Sequence, residues 1–561
     1  MTDGRPWAPV PLVRGSHGAV VAPHHLASAA GLSILRAGGS AIDAAIATNA
    51  ALGVVMPNGC GIGGDAFWLT WDAATGRQSA LNGSGRAGAR ADAAFLRASG
   101  LSEMPRRGPL SITVPGAVRS WGDAHREGGR LSRDAILAPA IELARAGFPA
   151  WDGFIDAVER TAPLVEEALG ASAGFFTIYR PHGRPWQPGE RVRLPALATT
   201  LETLAQTGFD AFYDGEIGDR QARAFDDIGA MVTLTDLRAH TSTPGQPIAI
   251  DYRGVRVTTH PPNSSGVVAL ELLSILAALE PPPASTFGAA GVTDPRWIHF
   301  GIEAAKLAMA DRDAFLTDPA FEDVPVERLL SSSHGARLAG RIDPLHAAIP
   351  AAATNPPGGG TVYLATVDTD GNAVSLIESN YLGFGSGVVD PVTGIHYQNR
   401  GSYFSLDPDH PNRLVPGKRT LHTLLPGMLF RDGGGPDGRP VPWVVAGSMG
   451  GDAQPQIHAQ LVSSLVDGGV DIATAVGAPR WYVEPPDHFA PPVAVRLEPR
   501  HARGVAEALT ALGHPVTLVD PFDPTLGHEH AIELVEGGPG ATEGSVAAAT
   551  DPRSAGLPAV W

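Results

Sequence analysis

Gly358-Gly359-Gly360-Thr361-Val362-Tyr363-Leu364-Ala365-Thr366-Val367-Asp368-Thr369-Asp370-Gly371-Asn372-Ala373-Val374-Ser375-Leu376-Ile377-Glu378-Ser379 is the stretch on which the reading of this chain turns. Its first three residues close a segment, 349–360, made of small residues, prolines and glycines. Such a segment buries little and holds no regular ladder, so it predicts an exposed linker. From Thr361 the chain alternates to Val367, turns at Asp368 to Asn372, and alternates again to Ser379. Asp-Gly between two alternating runs predicts a β-hairpin. A linker that feeds a strand opening on threonine suggests self-cleavage between Gly360 and Thr361. One residue would then supply both the nucleophilic hydroxyl and its base, since an α-amine titrates near ~7.7–8.0. Many strands begin with threonine after a loop, so the stretch alone leaves an ordinary loop-to-strand junction open.

Upstream, Gly18 to Ala22 reads as a short strand and Ala27 to Arg36 as a helix stopped by Gly38-Gly39. Ala41 to Val55 is almost wholly apolar, so it predicts a helix buried on most sides, with Ser40 as its N-cap. Ala66 to Trp71 reads as a strand, and residues 131–230 as helices with polar loops. Downstream, strands are expected at Val441 to Val445, Val493 to Leu497 and Ala531 to Val535, and helices at Pro455 to Leu465 and Ala502 to Leu512. Helices packed on antiparallel sheets follow from this order.

Composition narrows the class. Hydrophobic residues at 43% and charged residues at 18% are globular values. A net charge of −17 repels phosphate backbones and argues against nucleic acid as a partner. Cys60 is the one cysteine, so no disulfide within the chain is available. The first residues lack the pattern of a signal peptide, and no run reaches the ~18 apolar residues of a membrane span, so a cytoplasmic protein without membrane contact is expected.

Several motifs invite other readings. Gly59-Cys60-Gly61-Ile62-Gly63-Gly64 fits a dinucleotide-binding pattern, but a helix precedes it and a strand follows, the reverse of what the pyrophosphate site needs. It predicts a tight backbone crossing. Gly170-Ala171-Ser172-Ala173-Gly174 fits a serine-hydrolase elbow, which needs a strand before and a helix after; here a helix to Leu169 and a strand from Phe175 to Ile178 are expected. Asp368-Thr369-Asp370-Gly371 lacks the glutamate that closes a calcium loop. His24-His25 and His528-Glu529-His530 lack further ligands at metal spacing. No metal and no cofactor are expected.

Thr361 to Ser375 resembles the start of the small subunit of γ-glutamyltranspeptidases. So do Gly383 to Gly387, Pro416 to Arg419, Gly447 to Gly451 and Asp551 to Ser554. Gly38 to Ala45, Gly61 to Gly64 and Pro261 to Gly266 resemble large-subunit segments, in the family's order. The resemblance implies an α+β fold of the N-terminal-nucleophile type, an αββα sandwich of two stacked antiparallel sheets. It implies a large subunit 1–360 and a small subunit 361–561 that stay together as a heterodimer. It also implies acyl transfer through an acyl-threonine intermediate on a small-molecule amide. Carried over residue by residue, Thr361 is the nucleophile, Gly450 and Gly451 are the oxyanion-hole glycines, Ser379 replaces a threonine whose hydroxyl contacts the nucleophile's amine, and Asn399 matches a donor-binding asparagine.

The departures are as informative. Where glutathione-using members hold the donor's α-carboxylate with an arginine and two serines, this chain has Ser84, with Arg86 two residues on, and His422 and Thr423. The acidic residue that holds the α-amine becomes Tyr403, and Arg400 stands where a polar amide is usual. An ammonium group would meet arginine and tyrosine, which disfavours it. Ser405 to Gly417 is too short for a long lid. The expected activity is therefore that of the amidohydrolase and acylase branch, with Arg400 or Arg86 binding a donor carboxylate. Arg400 is assigned to recognition of the donor, with a structural ion pair to an acidic neighbour as the alternative, and self-cleavage is expected to rest on Thr361 and its immediate surroundings. Two alternatives remain: a γ-glutamyltransferase or glutathione hydrolase, and an unprocessed homologue that only binds.

Overall fold

The hairpin read from Thr361 to Ser379 is present at the centre of the fold. In the computed structural model, which describes residues 10–348, 360–431, 440–483 and 494–561, Gly360–Val367 pairs antiparallel with Ala373–Tyr381 and sets Thr361 opposite Ser379. The linker expected at 349–360 lies outside the described residues up to 359, as does Val493. Asp368 builds the turn, its Oδ1 accepting from the backbone N–H groups of Asp370 and Asn372 at 3.1 and 3.0 Å. The aspartates that hinted at a calcium loop thus serve the hairpin.

The hairpin is the middle of a seven-stranded antiparallel sheet in the order Ala559–Val560, Ala19–Val21, Gly360–Val367, Ala373–Tyr381, Asp65–Asp72, Arg77–Gly83, Thr243–Gly245. A second seven-stranded antiparallel sheet runs Val13–Gly15, Ser545–Thr550, His528–Val535, Val441–Met449, Gly427–Arg431, Val255–Thr259, Ile248–Tyr252. Each sheet draws strands from both sides of Gly360, so the two parts of the sequence form one fold.

The period of two in the strands sorts the side chains. Val362 and Leu364 join the core under the first helical layer, while Tyr363, Ala365 and Val367 pack with Val445, Ile532 and Met428 between the sheets. Thr361 shares the parity of Tyr363, so its side chain leaves toward the second sheet.

Helices cover both outer faces and complete the αββα order. Ala41–Val55 has the expected bounds, a capping box between Ser40 and Asp43, and every residue but Ile42 buried. Its alanines let it approach the sheet and the helix His25–Arg36 closely, and His24 caps that helix through Nδ1. On the other face Gly266–Ala277 and Gln454–Val466 pack on the sheet, where Val257, Val444 and Ala446 join their core, and Pro295–Phe315 packs on Gly266–Ala277. No described helix is long and apolar enough to cross a membrane.

Two expectations need correction. Phe175 to Ile178 is not a strand but part of the helix Gly174–Tyr179, because the reach from Phe175 to Tyr179 puts both rings on one helical face against Phe384. Ser172 accordingly sits between two helices and makes no nucleophile elbow. The late strand and helix are shorter than read, at Val495–Leu497 and Val505–Ala511. The glycines of Gly59 to Gly64 do mark a crossing: a Cβ on Gly63 would lie 2.1 Å from the His396 carbonyl oxygen.

Candidate active site

Hairpin register brings the two hydroxyls together. Thr361 Oγ1 lies 2.9 Å from Ser379 Oγ, and both side chains are buried. In the uncut chain Ser379 Oγ also donates to the Gly360 carbonyl oxygen at 2.8 Å. Ser379 Oγ itself accepts from Tyr381 N–H at 2.8 Å and from Arg400 Nη2 at 3.3 Å. The Thr361 hydroxyl, the Gly360 carbonyl and a hydroxyl touching both thus meet at the Gly360–Thr361 bond. Arg400 therefore lies within the immediate surroundings of Thr361, one hydroxyl away through Ser379.

Arg400 is 1% exposed and follows the loop after the hairpin. Its guanidinium lies 4.6 Å from the Tyr381 ring centroid and 5.3 Å from that of Tyr403, the two rings themselves being 4.5 Å apart. Nη1 reaches Thr423 Oγ1 at 3.4 Å, and Nε has no hydrogen-bond partner among the described residues. No carboxylate among the described residues makes an ion pair with it. Burial lowers its pKa, yet a guanidinium stays charged. Tyr381 holds this wall with φ at +75°, a strained value for a bulky residue of the kind that clusters at functional sites.

Gly450 and Gly451 end the strand Val441–Met449 with φ at +151° and +56°. The next residue, Asp452, joins that turn to the aromatic wall. Its carboxylate pairs with Arg312 at 2.7 Å and accepts from the Tyr403 hydroxyl, 3.2 Å from each oxygen. Burial raises the Asp452 carboxyl, with Arg312 opposing, and pushes the Tyr403 hydroxyl well up. Tyr403 thus reaches a carboxylate instead of presenting one.

His422 lies 3.3 Å from Asp65 through Nε2. Leu424 N–H donates to its Nδ1, which leaves the proton on Nε2. Asp65 stands opposite Ser379 in the sheet register. Burial pushes the Asp65 carboxyl up to about 7 against the pull of Arg400, and keeps His422 neutral.

Thr361, Ser379, Arg400, Tyr403 and Thr423 are linked by direct contacts, with His422 beside them through Asp65. Asn399, Ser84 and Arg86 turn elsewhere. Asn399 clips its own loop, accepting from Leu382 N–H at 3.1 Å and donating to the Arg106 carbonyl at 2.6 Å. Ser84 donates to Asn82 at 2.7 Å, and Arg86 to the Thr241 carbonyl at 3.2 Å. Tyr381, Asp65, Asp452 and Arg312 were missed in the sequence. The position of Asp452 directly after Gly450-Gly451 was a usable signal, while Arg312 arrives from a distant helix with none.

A family profile described as Gamma-glutamyltranspeptidase matches residues 27–561. The chain is 39% identical over 545 residues to the glutathione hydrolase-like YwrD proenzyme of Bacillus subtilis, covering 97% of this chain and 98% of that protein. It is 39% identical over 560 residues to the oxamate amidohydrolase proenzyme of Klebsiella pneumoniae, with the same shares of each chain. The solved structure of a cephalosporin acylase from Bacillus halodurans superposes with a TM-score of 0.88 at 38% identity, over 100% of this chain and 99% of that one.

Proposed function

We propose, because the chain belongs to the gamma-glutamyltranspeptidase family, that it is a self-processing threonine amidohydrolase for small amides whose acyl group bears a carboxylate. Cleavage before Thr361 frees its α-amine. The amine takes the proton of Oγ1 as that oxygen attacks the donor's carbonyl carbon, and the backbone N–H groups of Gly450 and Gly451 receive the developing oxyanion. The proton passes to the leaving nitrogen, the C–N bond breaks, and water hydrolyses the acyl-threonine ester. The proenzyme names of both relatives support the processing step.

The donor class rests on one observation: Arg400 is a buried guanidinium without an ion-pair partner among the described residues and with a free Nε–H. An unpaired buried charge is costly, so a bound anion is the natural complement. Nη2 and Thr361 Oγ1 both reach the Ser379 hydroxyl, at 3.3 and 2.9 Å, so donor carboxylate and attacked carbonyl are close together, as in a short acyl chain. Arg400→Lys should lower kcat/KM for carboxylate donors about ten- to a hundred-fold, the worth of one charge-assisted hydrogen bond, and leave neutral amides nearly unchanged. An equal loss on both in the mature enzyme would remove Arg400 from the donor site.

A second expectation follows from Tyr403. Its hydroxyl occupies Asp452, and Arg400 repels an ammonium group, so a γ-glutamyl anilide should be a poorer donor than the glutaryl anilide that lacks the α-amine. The higher kcat/KM falling to the γ-glutamyl compound would favour a glutathione hydrolase instead.

A further inference from the structure

Ser379 has a single hydroxyl hydrogen, and its neighbours dictate where that hydrogen points. The N–H groups of Tyr381 and Arg400 are both aimed at Oγ, at 2.8 and 3.3 Å. The hydrogen therefore goes to the Gly360 carbonyl oxygen, 2.8 Å away. The contact of 2.9 Å to Thr361 Oγ1 then has Thr361 as donor, so Thr361 and the Tyr381 N–H fill the two lone pairs and Arg400 Nη2, at 3.3 Å, is a longer shared contact on the same oxygen. One hydroxyl bridges the attacking group and the carbonyl of the bond to be cut.

We propose that Arg400 is a positioning residue for self-cleavage, acting through Ser379 on the Gly360 carbonyl before it ever meets a donor. This rests on the self-cleavage reading above and is independent of which donor the mature enzyme takes. Thr361 Oγ1 bonds to the Gly360 carbonyl carbon as its proton passes to Ser379 Oγ and the Ser379 proton passes to the Gly360 oxygen. Ser379 stays neutral throughout. The adduct then breaks its C–N bond, the proton on its oxygen moving to the Thr361 nitrogen, and an ester joins Gly360 to Thr361 Oγ1. Water adds to that ester and releases the Gly360 acid and the Thr361 hydroxyl. Donors directed into Ser379 Oγ make its own O–H a stronger donor, which is how Arg400 and the Tyr381 N–H favour transfer of the Ser379 proton to the carbonyl oxygen. When Gly360 leaves, the same guanidinium is released toward the donor.

Self-cleavage can be timed without any donor, from the conversion of freshly translated chain into its two parts on a denaturing gel. Arg400→Leu should slow it tenfold or more, and Arg400→Lys, which keeps the charge on a different frame, by less. Ser379→Ala should also be slow, and adding Arg400→Leu to it should cost nothing further. Arg400→Leu cutting at the wild-type rate, or slowing the Ser379→Ala chain by the factor it imposes on wild type, would overturn the proposal; a role in the fold alone would give that second pattern. If Arg400→Leu fails to fold by its thermal transition, Arg400→Lys decides, with a wild-type rate as the contrary result. A wild-type chain that never cuts would instead refute the self-cleavage reading itself.

Discussion

Thr361→Ala is expected to remain a single 561-residue chain without amidase activity. Both losses have one cause. The hydroxyl proposed to attack the Gly360 carbonyl is gone, so the bond should stay closed, and without the cut no α-amine exists to serve as base. The fold should survive, because alanine suits a buried strand position and the change removes one side-chain hydrogen bond among the described residues, to Ser379, worth about 1 kcal/mol. Thermal unfolding close to that of the wild type would show that the loss is chemical. Cleavage or turnover by this variant would place the nucleophile elsewhere.

The next largest effect is expected at the glycine pair. Gly450 sits at φ +151°, a conformation that side chains rarely adopt, and a Cβ there would lie 3.0 Å from Ile457 Cδ1. Gly450→Ala must therefore twist the turn and re-aim the N–H groups of residues 450 and 451. Losing one oxyanion donor costs roughly 10²–10³ in kcat, with KM moving much less. The strain itself costs about 1–3 kcal/mol, so the protein should be less stable but folded. A folded Gly450→Ala enzyme with wild-type kcat would move the oxyanion site off this turn.

The sequence made the framework legible because the framework is local. The Asp-Gly turn, the alternation on either side of it and the apolar run of Ala41 to Val55 each state their structure within about twenty residues. Thr361 was legible as the first residue of the hairpin and Ser379 through the family resemblance, and the register sets the two opposite each other. Phe175 to Ile178 failed for the opposite reason: a short aromatic and β-branched run fits both periods, and only packing against Phe384 selects the helix.

The partners of the site were less legible because they come from separate elements. Arg312 reaches Asp452 from the helix Pro295–Phe315, and Tyr403 meets the same carboxylate from a short loop. Asp65 meets His422 across a distance in sequence that no motif spans. Arg400 showed itself in the sequence as an unusual residue at a known position. Its contact with Ser379, which ties recognition to maturation, required the folded chain.

Intact-mass measurement of the purified wild-type protein, before and after an acid quench during turnover of a carboxylate-bearing amide, tests the central claim most directly. Two masses are predicted, for residues 1–360 and 361–561, and during turnover the smaller should gain one acyl group located on Thr361. An active chain that keeps the single mass of all 561 residues, or an acyl group fixed to any other residue, would contradict the account.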